Sequence, residues 1–163
     1  MRHAFAAKTL KFLLTALWIV GIASFLITVL VGILSVNEIS SIQNIVGVLF
    51  FITGHLVVLA IIWELRKIIK TVVEKEPFTD SNIRGFNTIG MLTIAMAILT
   101  FCRDIFYVII GYPKLDILLY FSNEGFQTRM GFFMFLIFGC MAFVLSEIFS
   151  YAKKIKEEND LTV

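Results

Sequence analysis

The clearest feature of the sequence is a series of four long apolar runs separated by polar segments. An apolar helix of about 20 residues crosses the roughly 30 Å hydrocarbon core of a lipid bilayer. The four runs cover residues 10–34, 42–63, 86–110 and 130–150 approximately. We therefore predict an all-α integral membrane protein, a four-helix bundle that forms a single domain over residues 1–163.

Two of the predicted helices continue past the bilayer as amphipathic segments. Residues 64–76 after the second run, and 151–159 after the fourth, keep apolar side chains at helical spacing. A helix from 42 to 76 would be about 52 Å long, about 20 Å more than the bilayer core. We expect both extensions to enter the cytoplasm and to pack on each other. A docking platform for a cytosolic protein is a second interpretation, compatible with the first.

A polar connection, EKEPFTDSNIRG, joins the second and third runs at residues 74–85. Pro77 disfavours helical backbone at Glu76, so the second helix is predicted to end there. Thr79 or Asp80 can cap the next helix by accepting hydrogen bonds from its first free N–H groups. The connection holds no His, no Cys and no glycine-rich phosphate-binding motif, so we favour a structural hairpin over a catalytic loop.

The composition excludes a soluble globular domain of this size. Of the 163 residues, 59% are hydrophobic and 16% are charged, whereas soluble domains average about 45–50% and about 25%. Cys102 and Cys140 lie inside apolar runs, so no disulfide framework is predicted. The first apolar run exceeds the roughly 7–15 residues of a signal peptide and is predicted to remain as a span.

The distribution of Lys and Arg predicts the orientation in the membrane. Three basic residues lie at the N-terminus (Arg2, Lys8 and, at the start of the first run, Lys11), five lie between residues 64 and 85, and three follow the fourth span. Thus 11 of the 14 fall on one side. Basic residues in short flanks mark the cytoplasmic side. We therefore predict a multi-pass protein of the bacterial inner membrane with both termini in the cytoplasm, and with 35–41 and 111–129 outside.

The outer segment 111–129 is long for a tight connection and contains many apolar residues. Amphipathic segments often lie as short helices in the membrane interface. We predict such an interfacial helix here. A cap over the helices that binds a peptide or a lipid is the alternative.

Three ionisable residues, His55, Arg103 and Asp104, lie within the predicted spans, and such residues are candidates for function. For His55 we favour a neutral imidazole that is hydrogen-bonded between helices over a proton relay, a metal ligand or a haem ligand. Asp104 follows Gly90 and Ala97 at seven-residue intervals, so its face should point into the bundle. Arg103 and Asp104 form either a structural ion pair or one wall of an outward-facing pocket.

Two motifs carry a resemblance to a known family. The first is the PFT of the connection followed by Asn and a basic residue, and the second is SEIF followed by a basic stretch and the C-terminal residues. The matching residues of the first motif are Pro77, Phe78, Thr79, Asn82 and Arg84; those of the second are Ser146 to Phe149 and Glu158 to Val163. Most of the chain resembles the YoaS-like family of uncharacterised four-helix bacterial membrane proteins. The resemblance implies a neighbouring gene for a small helix-turn-helix regulator and implies no catalytic residues.

We favour a non-enzymatic regulatory or interaction protein that senses a signal at the membrane and docks the helix-turn-helix regulator. No nucleophile–base pair, HExxH motif or cluster of carboxylates supports an enzyme. The alternatives are an immunity protein against a membrane-active peptide and a small transporter or channel. The candidate docking residues are those of the tail: Glu158, Asp160, Leu161, Thr162 and Val163.

The expected partners are the lipid bilayer, the regulator and, through seams of small residues, a second copy of the chain. No cofactor and no metal is predicted. Direct binding to nucleic acid is not expected, because the basic residues lie close to the bilayer surface.

Overall fold

Four long helices and one short hairpin make up the structure, a computed structural model that describes residues 2–34, 42–109, 119–122, 125–128 and 130–161. The helices are α1 (Arg2–Leu34), α2 (Ile42–Val73), α3 (Asp80–Ile109) and α4 (Met130–Leu161). All four are long and apolar enough to cross a membrane. The prediction of four long apolar helices is thus confirmed, and the helices indicate a multi-pass membrane protein.

Each helix packs antiparallel against the next helix in the chain. The rings of Trp18 in α1 and Trp63 in α2 lie 5.5 Å apart, and Ser146 Oγ in α4 donates to the Ile83 carbonyl in α3 at 3.0 Å. The start of α1, the α2–α3 connection and the end of α4 therefore lie at one end of the structure, which we call the connection end.

The helices form an open row, and this corrects the prediction of a four-helix bundle. Within the described residues, close backbone approaches join α1 to α2, α2 to α3 and α3 to α4, and none joins α1 to α4. The most extensive of these seams is that of α3 with α4, where small buried residues such as Ala97 and Ala142 let the backbones approach. Apolar faces of membrane helices can remain against lipid tails, so α1 does not need to close the row.

The two extensions do not pack on each other as predicted, because α3 begins at Asp80 and its first turns lie between them. Ile68 of α2 packs against Gly85, and a Cβ atom on that glycine would lie 3.2 Å from the Ile68 side chain. On the other side, the ring of Phe149 in α4 lies 4.9 Å from the ring of Phe86. The start of α3 therefore provides the common packing surface for both extensions.

Helix α2 ends earlier than the proline alone predicts. Its last residue is Val73, and Lys75 follows with a φ of 65°, in the left-handed region. The Glu76 N–H donates to the Thr71 carbonyl at 3.0 Å, and the Lys75 N–H donates to the Val72 carbonyl at 3.2 Å. This pair of hydrogen bonds is the Schellman motif, which satisfies carbonyls at a helix C-terminus.

The predicted interfacial helix within residues 111–129 is wrong where the structure describes this segment. Strands β1 (Leu119–Ser122) and β2 (Gly125–Thr128) pair antiparallel, with Leu119 opposite Thr128. Aromatic residues favour extended backbone, and a glycine lowers helix stability by about 1 kcal/mol relative to alanine. The rest of this segment and the predicted outer loop 35–41 lie outside the described residues.

Candidate functional site

The three ionisable residues of the predicted spans line one cleft between α2 and α3. Its volume is about 520 Å³, and the α3 wall carries Arg103 and Asp104 while the α2 wall carries His55. The remaining lining residues are mostly apolar or small: Gly47, Phe50, Phe51, Gly54, Val58, Met96, Leu99 and Thr100. The fold therefore gathers the polar groups that the sequence places 48 or more positions apart.

The helical spacing of α3 places the Asp104 carboxylate inside the protein. Gly90, Ala97 and Asp104 are all buried, as their seven-residue spacing predicts. Asp104 Oδ1 accepts hydrogen bonds from Arg103 Nη2 at 3.0 Å and from Nε at 3.2 Å. The Arg103 side chain is 43% exposed, against 6% for Asp104. The pair thus presents a guanidinium toward the opening of the cleft and keeps the carboxylate within it.

His55 differs from its prediction, because it makes no hydrogen bond with any described residue. Its ring instead packs between aromatic rings, 5.8 Å from Phe25 of α1 and 5.5 Å from Phe51 of α2. The prediction required a hydrogen-bond partner on another helix, whereas α1 places the aromatic ring of Phe25 beside the imidazole. The imidazole is thus held by aromatic contacts where it lines the cleft.

The cleft can hold a molecule that has both an apolar body and a polar group. Apolar walls with a few convergent polar side chains are typical of small-molecule sites. A metal site finds no support in the part of the chain that the structure describes, where no three His, Cys, Asp or Glu side chains come together. Cys102 and Cys140 are both exposed in the described structure and lie on different helices.

In the motif of the α2–α3 connection, the Asn82 side chain is fully buried and makes the main hydrogen bonds. Its Nδ2 donates to the Thr71 hydroxyl at 2.6 Å and to the Pro77 carbonyl at 2.7 Å. The Asn82 backbone N–H donates to the Thr79 carbonyl at 3.0 Å and to its hydroxyl at 3.3 Å. Thr79 is thus the cap of α3, and Asn82 fastens the connection to the end of α2.

Two further contacts of the connection reach α4. The ring of Phe78 lies 5.4 Å from the ring of Phe149, and Lys153 Nζ donates to Asp80 Oδ2 at 2.7 Å. Arg84, the last residue of the motif, is exposed. The motif therefore fixes three helices at the connection end and leaves Phe78 and Arg84 partly or fully accessible.

The end of α4 projects beyond the contact with Asp80. Every residue from 154 to 161 is exposed, including the predicted docking residues Glu158, Asp160 and Leu161. The other two predicted docking residues, Thr162 and Val163, lie outside the described residues. Eight helical residues extend about 12 Å. This segment, 154–161, is called the α4 projection below.

Sequence reasoning missed several residues that the structure assigns to these sites. Thr71 and Lys153 hold the connection in place, and an arginine in α2, Arg66, stacks on Trp18 of α1. The aromatic belt of membrane proteins is a signal that could have indicated the last group, because tryptophans mark the membrane interface. The contacts of Thr71 depend on the hairpin geometry and leave no periodic signal in the sequence.

One family model matches the chain over residues 35–163, and its description is "Protein of unknown function (DUF2975)". Nothing among the curated proteins or the solved structures matches the chain. The expectation of an uncharacterised family is thereby confirmed, whereas the YoaS-like name stays a prediction.

Proposed function

We propose, from the premise that the chain belongs to the DUF2975 family of proteins of unknown function, that it is a non-enzymatic regulatory protein of the membrane. In this proposal the α4 projection docks a soluble partner, and the cleft between α2 and α3 receives the signal. The observation that carries the proposal is the α4 projection itself, an exposed helical end beyond the last contact with α3.

The chemistry of the α4 projection supports docking. The ends of helices fray, so an exposed helical end gains stability when a partner covers it. Ile155 is 59% exposed and Leu161 is 87% exposed, beside the acidic residues Glu157, Glu158 and Asp160. Apolar side chains rimmed by charges are typical of protein interaction sites.

The proposed partner is a small helix-turn-helix regulator. The acidic end of α4 suits a basic protein surface, and DNA-binding proteins carry basic surfaces. The resemblance of the two motifs to a family whose genes neighbour such regulators adds to this. Binding at the membrane would hold the regulator away from DNA until the cleft changes its occupancy.

The proposed topology places the connection end in the cytoplasm of a bacterial cell, with both termini there. Support comes from the antiparallel row, which brings the two terminal helix ends and the connection to one end, and from the 11 of 14 basic residues located there. We expect a single cysteine at position 80, in a background free of Cys102 and Cys140, to resist an impermeant thiol reagent in intact cells. The reagent should label it in inverted vesicles. Labelling in intact cells would show that the connection end lies outside the cell and would contradict the proposed topology.

The docking proposal is tested by removing residues 157–163 and coexpressing the truncated chain with the neighbouring helix-turn-helix protein. We expect the truncated chain to insert and fold normally, because the described residues 157–161 are exposed and the ion pair of Lys153 with Asp80 is retained. Its recovery of the regulator in a pull-down should fall about tenfold or more, as for the loss of an interaction hot spot.

A charge-reversal variant of Lys154 and Lys156 is the matched control, since these exposed side chains lie on the same projection. It should lose less binding, because its apolar and acidic groups are intact. Equal recovery by the truncated chain would exclude the α4 projection from docking. Failure of the full chain to bind the regulator would favour the immunity function instead.

A further inference from the structure

A second pocket lies between α1 and α2 near the connection end. It has a volume of about 190 Å³, and its α2 lining begins at Trp63, whereas that of the cleft at His55 ends at Val58. Four cationic side chains line it together with one hydroxyl and one indole: Lys11 and Thr15 from α1, and Trp63, Arg66, Lys67 and Lys70 from α2. The pocket is thus a basic recess at the junction of two membrane helices.

Arg66 is the central group of this pocket. Its guanidinium carbon lies 4.5 Å from the centre of the Trp18 ring and 5.6 Å from that of Trp63. Arg66 Nη1 is buried and has no hydrogen-bond partner in the described structure. A buried charged donor without an acceptor destabilises the protein, because its lost hydration is not replaced. The two indoles fix the guanidinium, and an anionic acceptor would satisfy its free nitrogen.

The positive charge of the pocket is only partly balanced. Lys67 Nζ pairs with Glu64, while Lys70 Nζ is 4.0 Å from Glu74 with both side chains largely exposed. None of the described residues that line the pocket is acidic. Like charges at close range repel, so Lys11, Arg66 and Lys70 together favour an anion between them.

The surroundings of the pocket favour a lipid as the source of that anion. Tryptophans such as Trp18 and Trp63 are enriched where membrane helices cross the headgroup region. Toward the membrane, exposed apolar side chains follow Thr15 on the same side of α1, among them Ile19 and Leu26. Basic pockets between membrane helices can bind anionic headgroups. A phospholipid supplies the anionic phosphate for the cations and acyl chains for this apolar surface in one molecule.

We propose that the pocket binds the phosphate of an anionic phospholipid headgroup, with Arg66, Lys11 and Lys70 as the cationic contacts and the Thr15 hydroxyl as a further donor. The acyl chains of the lipid lie along the exposed apolar face of α1. This inference does not rest on the proposed docking function, because the pocket involves neither the α4 projection nor the cleft.

The test uses tryptophan fluorescence, because the chain has two tryptophans and both belong to this site. The full-length protein in detergent micelles is titrated with phosphatidylglycerol or phosphatidylcholine that carries brominated acyl chains, which quench nearby indoles. Each basic side chain near an anionic lipid should contribute about five-fold in affinity. We expect half-quenching by phosphatidylglycerol at a mole fraction at least about tenfold lower than by phosphatidylcholine.

The double variant Lys11→Gln/Lys70→Gln should lose most of this preference while it keeps the unquenched spectrum, because neither lysine stacks on an indole. Lys154→Gln, an exposed lysine of the α4 projection at the same end, should keep the preference. Equal quenching by both lipids in the natural protein would overturn the proposal. So would a preference that the double variant retains, since it would then reflect general surface charge.

A second arm distinguishes the lipid from a soluble anion. The titration is repeated in excess inorganic phosphate and in chloride at equal ionic strength. Both salts then screen charges to the same extent, so the preference for phosphatidylglycerol should agree between them within about two-fold. Loss of the preference in phosphate alone would assign the pocket to soluble phosphate and overturn the lipid assignment.

Discussion

Replacement of Asn82 by alanine should lower the free energy of unfolding by about 2–4 kcal/mol and loosen the connection end. The side chain is fully buried and donates through both hydrogens of its Nδ2 group, to Thr71 and to the Pro77 carbonyl. Alanine would leave the carbonyl without a donor and would open a cavity. Each buried polar group left without a partner costs about 1–3 kcal/mol.

The measurement is the unfolding of the purified protein in mixed micelles, followed by helical circular dichroism as a denaturing detergent is added. Asn87→Ala is the matched control, since Asn87 is an exposed asparagine on the same helix, and it should change stability by about 0.5 kcal/mol or less. Thr71→Ala removes one of the two groups to which the Asn82 side chain donates, and it should lower stability by an intermediate amount. A loss for Asn82→Ala no larger than that for Asn87→Ala would contradict the assigned role.

The spans could be predicted from the sequence because each satisfies a local condition of length and apolarity. The start of α3 could be predicted in part, because the residue types indicate a cap at Thr79 or Asp80, although residues 80–85 are polar and lie outside the apolar run. They are helical since Thr79 caps the helix and Ile68 and Phe149 pack against its first turns. Ile68 and Phe149 belong to other helices, so their contacts with α3 cannot be predicted from the sequence of residues 80–85.

The candidate cleft could be predicted in part. The seven-residue spacing to Gly90 and Ala97 placed Asp104 on the packed face of α3, because that spacing is a property of one helix. The surroundings of His55 depend on which side chain α1 presents, and that side chain is Phe25. The position of one helix relative to another depends on tertiary packing. The sequence around His55 therefore could not predict which side chain of α1 lies beside its ring.

The open row also has a consequence for how a signal could reach the connection end. Helix α3 carries Arg103 and Asp104 in the cleft at one end and Asp80 with Asn82 at the other. It is also the helix that packs on both α2 and α4. A ligand that separates α2 from α3 would therefore act on the same helix that positions α4 through Lys153. This is the physical link between sensing and docking in the proposed function.

Replacement of Gly139 by a residue with a side chain should disrupt the packing of α3 against α4 and lower the stability of the protein. A Cβ atom built on Gly139 would lie 2.7 Å from Ile94 Cγ1, 3.2 Å from the Gly90 carbonyl oxygen and 3.4 Å from the Ile94 nitrogen. The isoleucine side chain can rotate away, but two of the three neighbours are backbone atoms and cannot. The helices would have to separate, and overpacking of this kind costs about 1–3 kcal/mol.

Alanine is more favourable than glycine in a helix by about 1 kcal/mol. A net loss of stability therefore requires that the clash at position 139 cost more than this gain. We expect Gly139→Ala to lose about 1 kcal/mol net and Gly139→Val to lose more, in the same detergent titration as for Asn82. Gly131→Ala on the same helix is the control, because its Cβ would lie an ordinary 3.9 Å from Thr100 Cγ2. It should be neutral or stabilising, so the two alanine variants should differ in stability by about 1 kcal/mol or more. A stabilising Gly139→Ala would mean that the α3–α4 seam is looser than the distances at Gly90 and Ile94 require.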